Sequence, residues 1–340
     1  MASRRWAMEN FGKDALRLES TPIPEPKDGE VLVEVGAVSL NYRDKLVIDG
    51  ALGDPLDWPF SPASDMAGRV VAVGAGVDRF KVGDRVMSTY VAGWIDGRPI
   101  GSAAEPYGLS TGWPRMGMLA RHIAIDQDWL VRSPETLDDL QTSTLPIAGA
   151  TAWYALVELG HLSAGQTVLI QGTGGVSVFG LQIAKAHGAQ VLVTSGDDGK
   201  LQRAKALGAT HLINRRSDDW VARVREVTAG RGADHILEVV GGANLGRSVE
   251  AVAAGGRVSL IGIIEGFEAS FPVAPVLLNN IVIQGIYVAP RRATEDFVRA
   301  VDALSLKPQI DAVYPFEALH DALAHLERGA FGKVVVHVAG

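Results

Sequence analysis

Residues Gln171 to Ser177 read Gln-Gly-Thr-Gly-Gly-Val-Ser; they follow the apolar run TVLIQ and open the helical pattern FGLQIAKAHG. A glycine turn so placed lets backbone approach a pyrophosphate, and the free N–H groups and positive dipole end of the following helix attract that anion. Gly172, Thr173, Gly174, Gly175 and Val176 are therefore candidate cofactor contacts. Ser177 stands where a full G-x-G-x-x-G has its third glycine, and Gly180, one turn on, can still allow close helix–strand packing. An NAD site expects an acidic residue at the end of the second strand, accepting from the ribose 2′-hydroxyl. This chain has Thr194-Ser195-Gly196 there; Ser195, with Lys200 and Arg215, offers room and positive charge for a 2′-phosphate, which favours NADPH. Asp197 and Asp198 keep NADH open, as ribose acceptors or simply as first-turn residues of the next helix.

Other chemistries find less support. Gly108-Leu109-Ser110-Thr111-Gly112 matches the G-x-S-x-G nucleophile pattern, but it lies inside a loop and not between a strand and a helix. The chain has no cysteine, which excludes disulfides, iron–sulfur ligation, thiolate catalysis and cysteine-ligated zinc, and its 8 histidines form no H-E-x-x-H spacing. With 32 Lys and Arg against 39 Asp and Glu, the net charge is -7 and no basic block offsets it, so nucleic acid is not an expected partner. No run approaches an uncharged membrane span and the start lacks an apolar signal region, so no membrane partner and a cytoplasmic location are expected.

These residues need elements to hold them. A chain of 340 residues favours two domains. Residues 31–39 and 69–86 alternate β-branched with small or polar residues around turn signals, and read as antiparallel β. The stretch 91–117 is a long loop rich in Gly, Pro, Ser and Trp. An apolar helical pattern over 140–159 follows a linker-like segment, and the domain switch is placed within it. After Gly165, strands alternate with helices through IVIQGIYV at 281–288, which argues a doubly wound α/β domain with a parallel sheet covered on both faces. Beyond Pro290 a helix, a Pro-containing turn, a second helix and the strand KVVVHV are expected.

In order and spacing the chain resembles the medium-chain dehydrogenase/reductase superfamily, and within it the zinc-independent, quinone-oxidoreductase-like and alcohol dehydrogenase-like branch. The resemblance rests on SLNYRD at 39–44, SDMAGRVVAVGAGVDRFKVGDRV at 64–86, LPIAGATAWYAL at 145–156, VLIQGTGGVS at 168–177, AKALGATHLIN at 204–214, GGRVSLIG at 255–262 and FGKVVVHV at 331–338. It implies a β-rich GroES-like catalytic domain, residues 1–148 with 291–340, and a Rossmann domain, residues 149–290, with the active site between them. It also implies a homodimer, for which the IVIQGIYV region is the candidate edge.

Where zinc-dependent relatives carry Cys-x-x-Asp, this chain has Asn41-Tyr42-Arg43-Asp44; where they carry His-Glu it has Ser64-Asp65, and the third ligand position is Ile147. An amide, a hydroxyl and an alkyl group cannot replace thiolate and imidazole, so no zinc is expected. Without that Lewis acid, hydride delivery to an already activated carbon of a quinone or α,β-unsaturated carbonyl is the expected reaction. Asn41 is the expected donor to the developing oxyanion and Tyr42 a proton donor or second contact, with a strand-end turn as their alternative role. Asp44 and Arg43 are expected to pair and shape the pocket, which Ser64, Ile147, Trp94 and Trp113 would line; the tryptophans could equally fill a core. By resemblance Thr151 lies near the nicotinamide, Val240, Gly241, Ile261, Gly262, Tyr287 and Val288 contact the cofactor, and Phe331, Gly332 and Lys333 close over it. A zinc-free alcohol dehydrogenase or aldehyde reductase, and an NADPH-binding protein with a structural or sensing role, remain alternatives.

Overall fold

The computed structural model describes residues 2–53, 56–102 and 110–338. It divides into two compact units, Met1–Ala150 with Val288–Gly340, and Thr151–Tyr287.

The first unit opens with a two-stranded ribbon, β1 (Ala2–Ala7) and β2 (Arg17–Pro22). Next come β3 (Glu30–Leu40), α1 (Tyr42–Ile48), β4 (Asp65–Val73), β5 (Arg85–Ser88), β6 (His122–Asp126), β7 (Leu130–Arg132) and α2 (Asp139–Thr142). The strand β3 is the spine: it pairs antiparallel with β4 and with β6, and its alternating valines are buried in the core with Phe60, Met66, Met118 and Phe316. The expected helix over 140–159 is segmented into π-helical turns at Leu145–Gly149 and Tyr154–Glu158 around the short α3 (Ala150–Trp153). Pro146 near its start removes a backbone donor and disturbs the regular ladder.

The second unit runs β8 (Thr167–Gln171), α4 (Gly175–Ala186), β9 (Gln190–Ser195), α5 (Asp198–Ala206), β10 (His211–Asn214), α6 (Trp220–Val227), β11 (Ala233–Glu238), α7 (Asn244–Ala251), β12 (Val252–Leu260), α8 (Ala274–Leu278) and β13 (Val282–Gly285). All its strand pairs are parallel and the order is β10-β9-β8-β11-β12-β13, the doubly wound arrangement that the alternation predicts. All five residues of β8 are buried, as a strand covered on both faces requires. A Cβ on Gly180 would lie 2.4 Å from the Leu237 side chain, so that glycine sets how closely α4 lies on the sheet.

The chain then returns to the first unit with α9 (Arg291–Ala303), β14 (Ile310–Pro315), α10 (Leu319–Arg328) and β15 (Lys333–His337). The strand β14 occupies what the sequence suggests is only a Pro-containing turn, and pairs in parallel with β15. In turn β15 lies antiparallel on β3, with Val334 opposite Leu40. No helix among the described residues is long and apolar enough to cross a membrane.

Candidate active site

Asn41 directly follows β3 and is the N-cap residue of α1. Asp44, at the third helical position, reaches back so that Asn41 N donates to its Oδ2 at 2.7 Å. The Asn41 side chain is engaged elsewhere: Lys333 Nζ donates to Asn41 Oδ1 at 2.6 Å and to Leu40 O at 2.7 Å. An ammonium can only donate, so it must face the amide oxygen, and this fixes the amide with Nδ2 on the opposite side. That Nδ2 is buried and makes no hydrogen bond in the structure. It lies on the side of Asp65, where it opposes part of the upward push that burial gives that carboxyl. Asp65 opens β4, accepting from Ser64 Oγ at 2.9 Å and from Ile147 N at 3.2 Å.

Four polar side chains thus meet in the interior of the first unit, with Asp44 1%, Asp65 0%, Lys333 3% and Asn41 9% exposed. Burial pushes the Asp44 carboxyl up to about 7, against the opposing hydrogen bond from Asn41 N and with added repulsion from Asp65. Asp65 is raised by burial too, while Lys333 holds it down; the Lys333 ammonium is lowered by burial and supported by Asp65 and Asp44. Between its ordinary value and about 7, Asp44 binds more protons folded than unfolded, so its contribution to stability falls as pH rises through that window. Asp44→Asn should therefore raise Tm relative to wild type by a margin that grows from pH 5 to pH 8. A margin independent of pH would contradict the assignment.

The three positions that carry zinc ligands in zinc-dependent relatives do not fit a metal here. Asn41 Oδ1 is taken by an ammonium, Ser64 donates to Asp65, and Ile147 offers an alkyl side chain. A divalent ion would also meet the positive charge of Lys333. Among the described residues no cluster of His, Cys, Asp and Glu could hold a metal.

Several expectations need correction. Arg43 and Asp44 do not form a contact ion pair, because adjacent residues of a helix do not face each other. Arg43 donates instead to Ser110 Oγ at 3.0 Å and Trp113 O at 2.9 Å, with its guanidinium over the Tyr90 and Trp113 rings. Trp113 belongs to the core of this unit and Trp94 is 3% exposed, the packing role left open for both. Ser110 accepts from Arg43 and is followed by a turn and no helix, where an elbow needs one; residues 108 and 109 of that G-x-S-x-G pattern, and 103–109 of the long loop, lie outside the described residues. Tyr42 is 46% exposed at the first position of α1. Lys333 is buried, with its ammonium held by Leu40 O and Asn41 Oδ1. Phe331, whose N donates to Asp311 Oδ2, is likewise buried, and Gly332 at φ +78 leaves no room for a Cβ beside Gln309 O.

In the second unit Gly172 takes φ +73, and a Cβ on Gly174 would meet nothing within 4 Å. Gly174 caps α4 without a side-chain hydrogen bond, which leaves the first N–H groups of that helix for an anion, while Ser177 Oγ donates to Gln171 O at 2.7 Å and closes the turn. These residues fit a dinucleotide pyrophosphate. At the end of β9, Arg215 N donates to Ser195 O at 3.0 Å, and the arginine lying over Gly196 is Arg216, whose Nε is 2.9 Å from where a Cβ would stand. Asp197 caps α5 through Lys200 N at 2.9 Å and Asp198 accepts from Asn214 Nδ2 at 2.7 Å. Both acids thus have the local duties that were the alternative to ribose binding. Thr151 Oγ1 is buried without a hydrogen bond. Tyr287 is 40% and Val288 1% exposed.

Sequence reasoning assigned no role to Asp65, Arg216 or Glu238. A lysine set directly before the three valines of KVVVHV was the available signal that a buried acid partner must exist.

The alcohol dehydrogenase GroES-like domain family matches residues 27–135, and the zinc-binding dehydrogenase family matches residues 175–305. A zinc-type alcohol dehydrogenase-like protein of Schizosaccharomyces pombe is 36% identical over 97% of both chains. The chain belongs to the medium-chain dehydrogenase/reductase superfamily. Within that superfamily it is similar to human quinone oxidoreductase, 27% identical over 96% of this chain and 94% of the relative. A crystal structure from Sinorhizobium meliloti 1021, provisionally described as an alcohol dehydrogenase, superimposes with a TM-score of 0.97 at 53% identity over 99% of each chain. This medium-chain dehydrogenase/reductase is an oxidoreductase, and its family implies a nicotinamide cofactor.

Proposed function

We propose that the protein reduces an activated carbon–carbon double bond, in a quinone or an α,β-unsaturated carbonyl, with NADPH and without a metal. Bound NADPH supplies the hydride. Asn41 Nδ2 donates to the substrate oxygen that becomes an enolate, and Tyr42 delivers the proton that completes the reduction. The observation that carries the reading is the Lys333–Asn41 contact: the ammonium orients and polarises the amide, so positive charge stands behind a donor that faces Asp65 and completes no hydrogen bond in the structure.

The test follows NADPH absorbance with an enone and its saturated aldehyde counterpart. Consumption with the enone is expected. Consumption with the aldehyde alone would replace this reading by zinc-free carbonyl reduction, the second reading that the alcohol dehydrogenase-like relatives favour. Tight NADPH binding without turnover of either would point to a binding role.

NADPH is preferred in this reading because Arg216 lies over Gly196, where a 2′-phosphate of a bound dinucleotide would stand. Arg216→Ala should weaken NADPH binding by about 10-fold or more, the worth of one charge-assisted hydrogen bond, and leave NADH binding nearly unchanged. Equal losses for the two nucleotides in a calorimetric titration would remove Arg216 from the site.

A further inference from the structure

The strongest unassigned feature is a carboxylate that the reaction does not use. Glu238 ends β11, is 0% exposed, and forms no salt bridge with any described residue. Its charge is met by neutral donors. Oε1 accepts from Val240 N at 2.8 Å and Gly241 N at 3.1 Å, and Oε2 accepts from Asn244 Nδ2 at 2.9 Å and from Ser248 Oγ. Its main-chain oxygen accepts from Ile261 N at 2.8 Å and Gly262 N at 3.1 Å. The network continues to the glycine turn: Asn244 Nδ2 also donates to Gln171 Oε1 at 3.0 Å, and Gln171 Nε2 donates to Ser248 Oγ at 2.8 Å.

One residue therefore ties together the chain segments that leave β8, β11 and β12, the three strand ends where a doubly wound sheet receives its dinucleotide. The segments are also in steric contact. A Cβ on Gly262 would lie 1.9 Å from Val239 O, and one on Gly241 2.7 Å from Gly262 O. The strand order reverses between β8 and β11, so the adenosine half of a dinucleotide belongs to the β9 and β10 side and the nicotinamide half to β11 and β12. Because Glu238 is fully buried, it can act on a ligand only through the groups it holds.

We propose that Glu238 is a positioning residue that fixes the turns after β11 and β12, and thereby sets affinity for the nicotinamide half of the cofactor. The proposal rests on the nicotinamide-cofactor reading above. Glu238→Gln keeps the size of the side chain but exchanges one acceptor oxygen for an NH2 group, which must then face donors from Val240 and Gly241 or from Asn244 and Ser248. The full-length variant is titrated with NADPH and with adenosine 2′,5′-bisphosphate, which carries the adenine and 2′-phosphate but no nicotinamide. The Kd for NADPH should rise by about 10-fold or more, as a buried charge-assisted network is broken, and that for the bisphosphate should not change. A merely structural role weakens both ligands or neither, and either result overturns the proposal. Should the variant fail to fold, Ser248→Ala removes one donor to Glu238, together with the acceptor of Gln171 Nε2, and is read by the same split, with a smaller loss for NADPH. Wild-type protein that binds none of NADPH, NADH and the bisphosphate overturns the cofactor reading, and this assignment with it, before any variant is compared.

Discussion

Replacing Lys333 by methionine should destabilise the protein by about 3–5 kcal/mol near neutral pH, the range expected when one partner of a buried charge cluster is removed. Methionine matches the length of the lysine stem but leaves Leu40 O and Asn41 Oδ1 without their donor and two buried carboxyls without their cation. The loss should shrink as pH falls, because Asp44, pushed up to about 7, and Asp65, also raised, take up protons and no longer need the ammonium. Adding Asp65→Asn should recover part of the loss, since the two sites are coupled. Denaturant titrations at two pH values measure all of this. A loss that is the same at both, or that the second substitution deepens, would mean the cluster is not electrostatically linked.

Asn41→Ala should lower turnover of the preferred acceptor by about 10²–10³-fold, the usual consequence of removing one oxyanion donor, with the NADPH Kd unaltered. Truncation also frees Lys333, so a second variant separates chemistry from folding. Asn41→Asp keeps an acceptor for the Lys333 hydrogen bond but has no amide donor. Stability that recovers while turnover stays low assigns the role to Nδ2. Turnover that recovers with the aspartate would show that Asn41 only anchors the lysine.

The parallel sheet and the glycine turn were legible because both are local demands. A strand covered on both faces must be apolar throughout, as TVLIQ nearly is, and Gly172 at φ +73 sits in a conformation that favours glycine. The position of Asn41 in the turn just after β3 was equally readable, as was the absence of thiolate and imidazole from the positions that zinc ligands take in zinc-dependent relatives. The environment of Lys333 was not. Its burial depends on Asn41, 292 positions away, through a β15–β3 pairing that no window of sequence contains. Arg43 and Asp44 were misjudged for the opposite reason: proximity along the chain suggested a pair that helix geometry sends apart. Glu238 carried no local mark, since HILEVV reads as an ordinary strand end until the donors of the following segments close around it.

The closure of β15 onto β3 has a bearing on how the protein is made. The first unit is discontinuous, and the ammonium that orients Asn41 belongs to its last strand, whereas the second unit, Thr151–Tyr287, is one unbroken stretch. On a ribosome adding roughly 5–20 residues per second, the segment carrying Asn41, Asp44 and Asp65 waits on the order of 10–40 s between synthesis of Ala150 and arrival of Lys333. Throughout that interval the two acids have no lysine, and the nascent first unit can have much of its β-rich frame without the cation of its buried cluster. The second unit can be complete first, which makes the Asn41–Lys333 cluster the last part of the protein to mature.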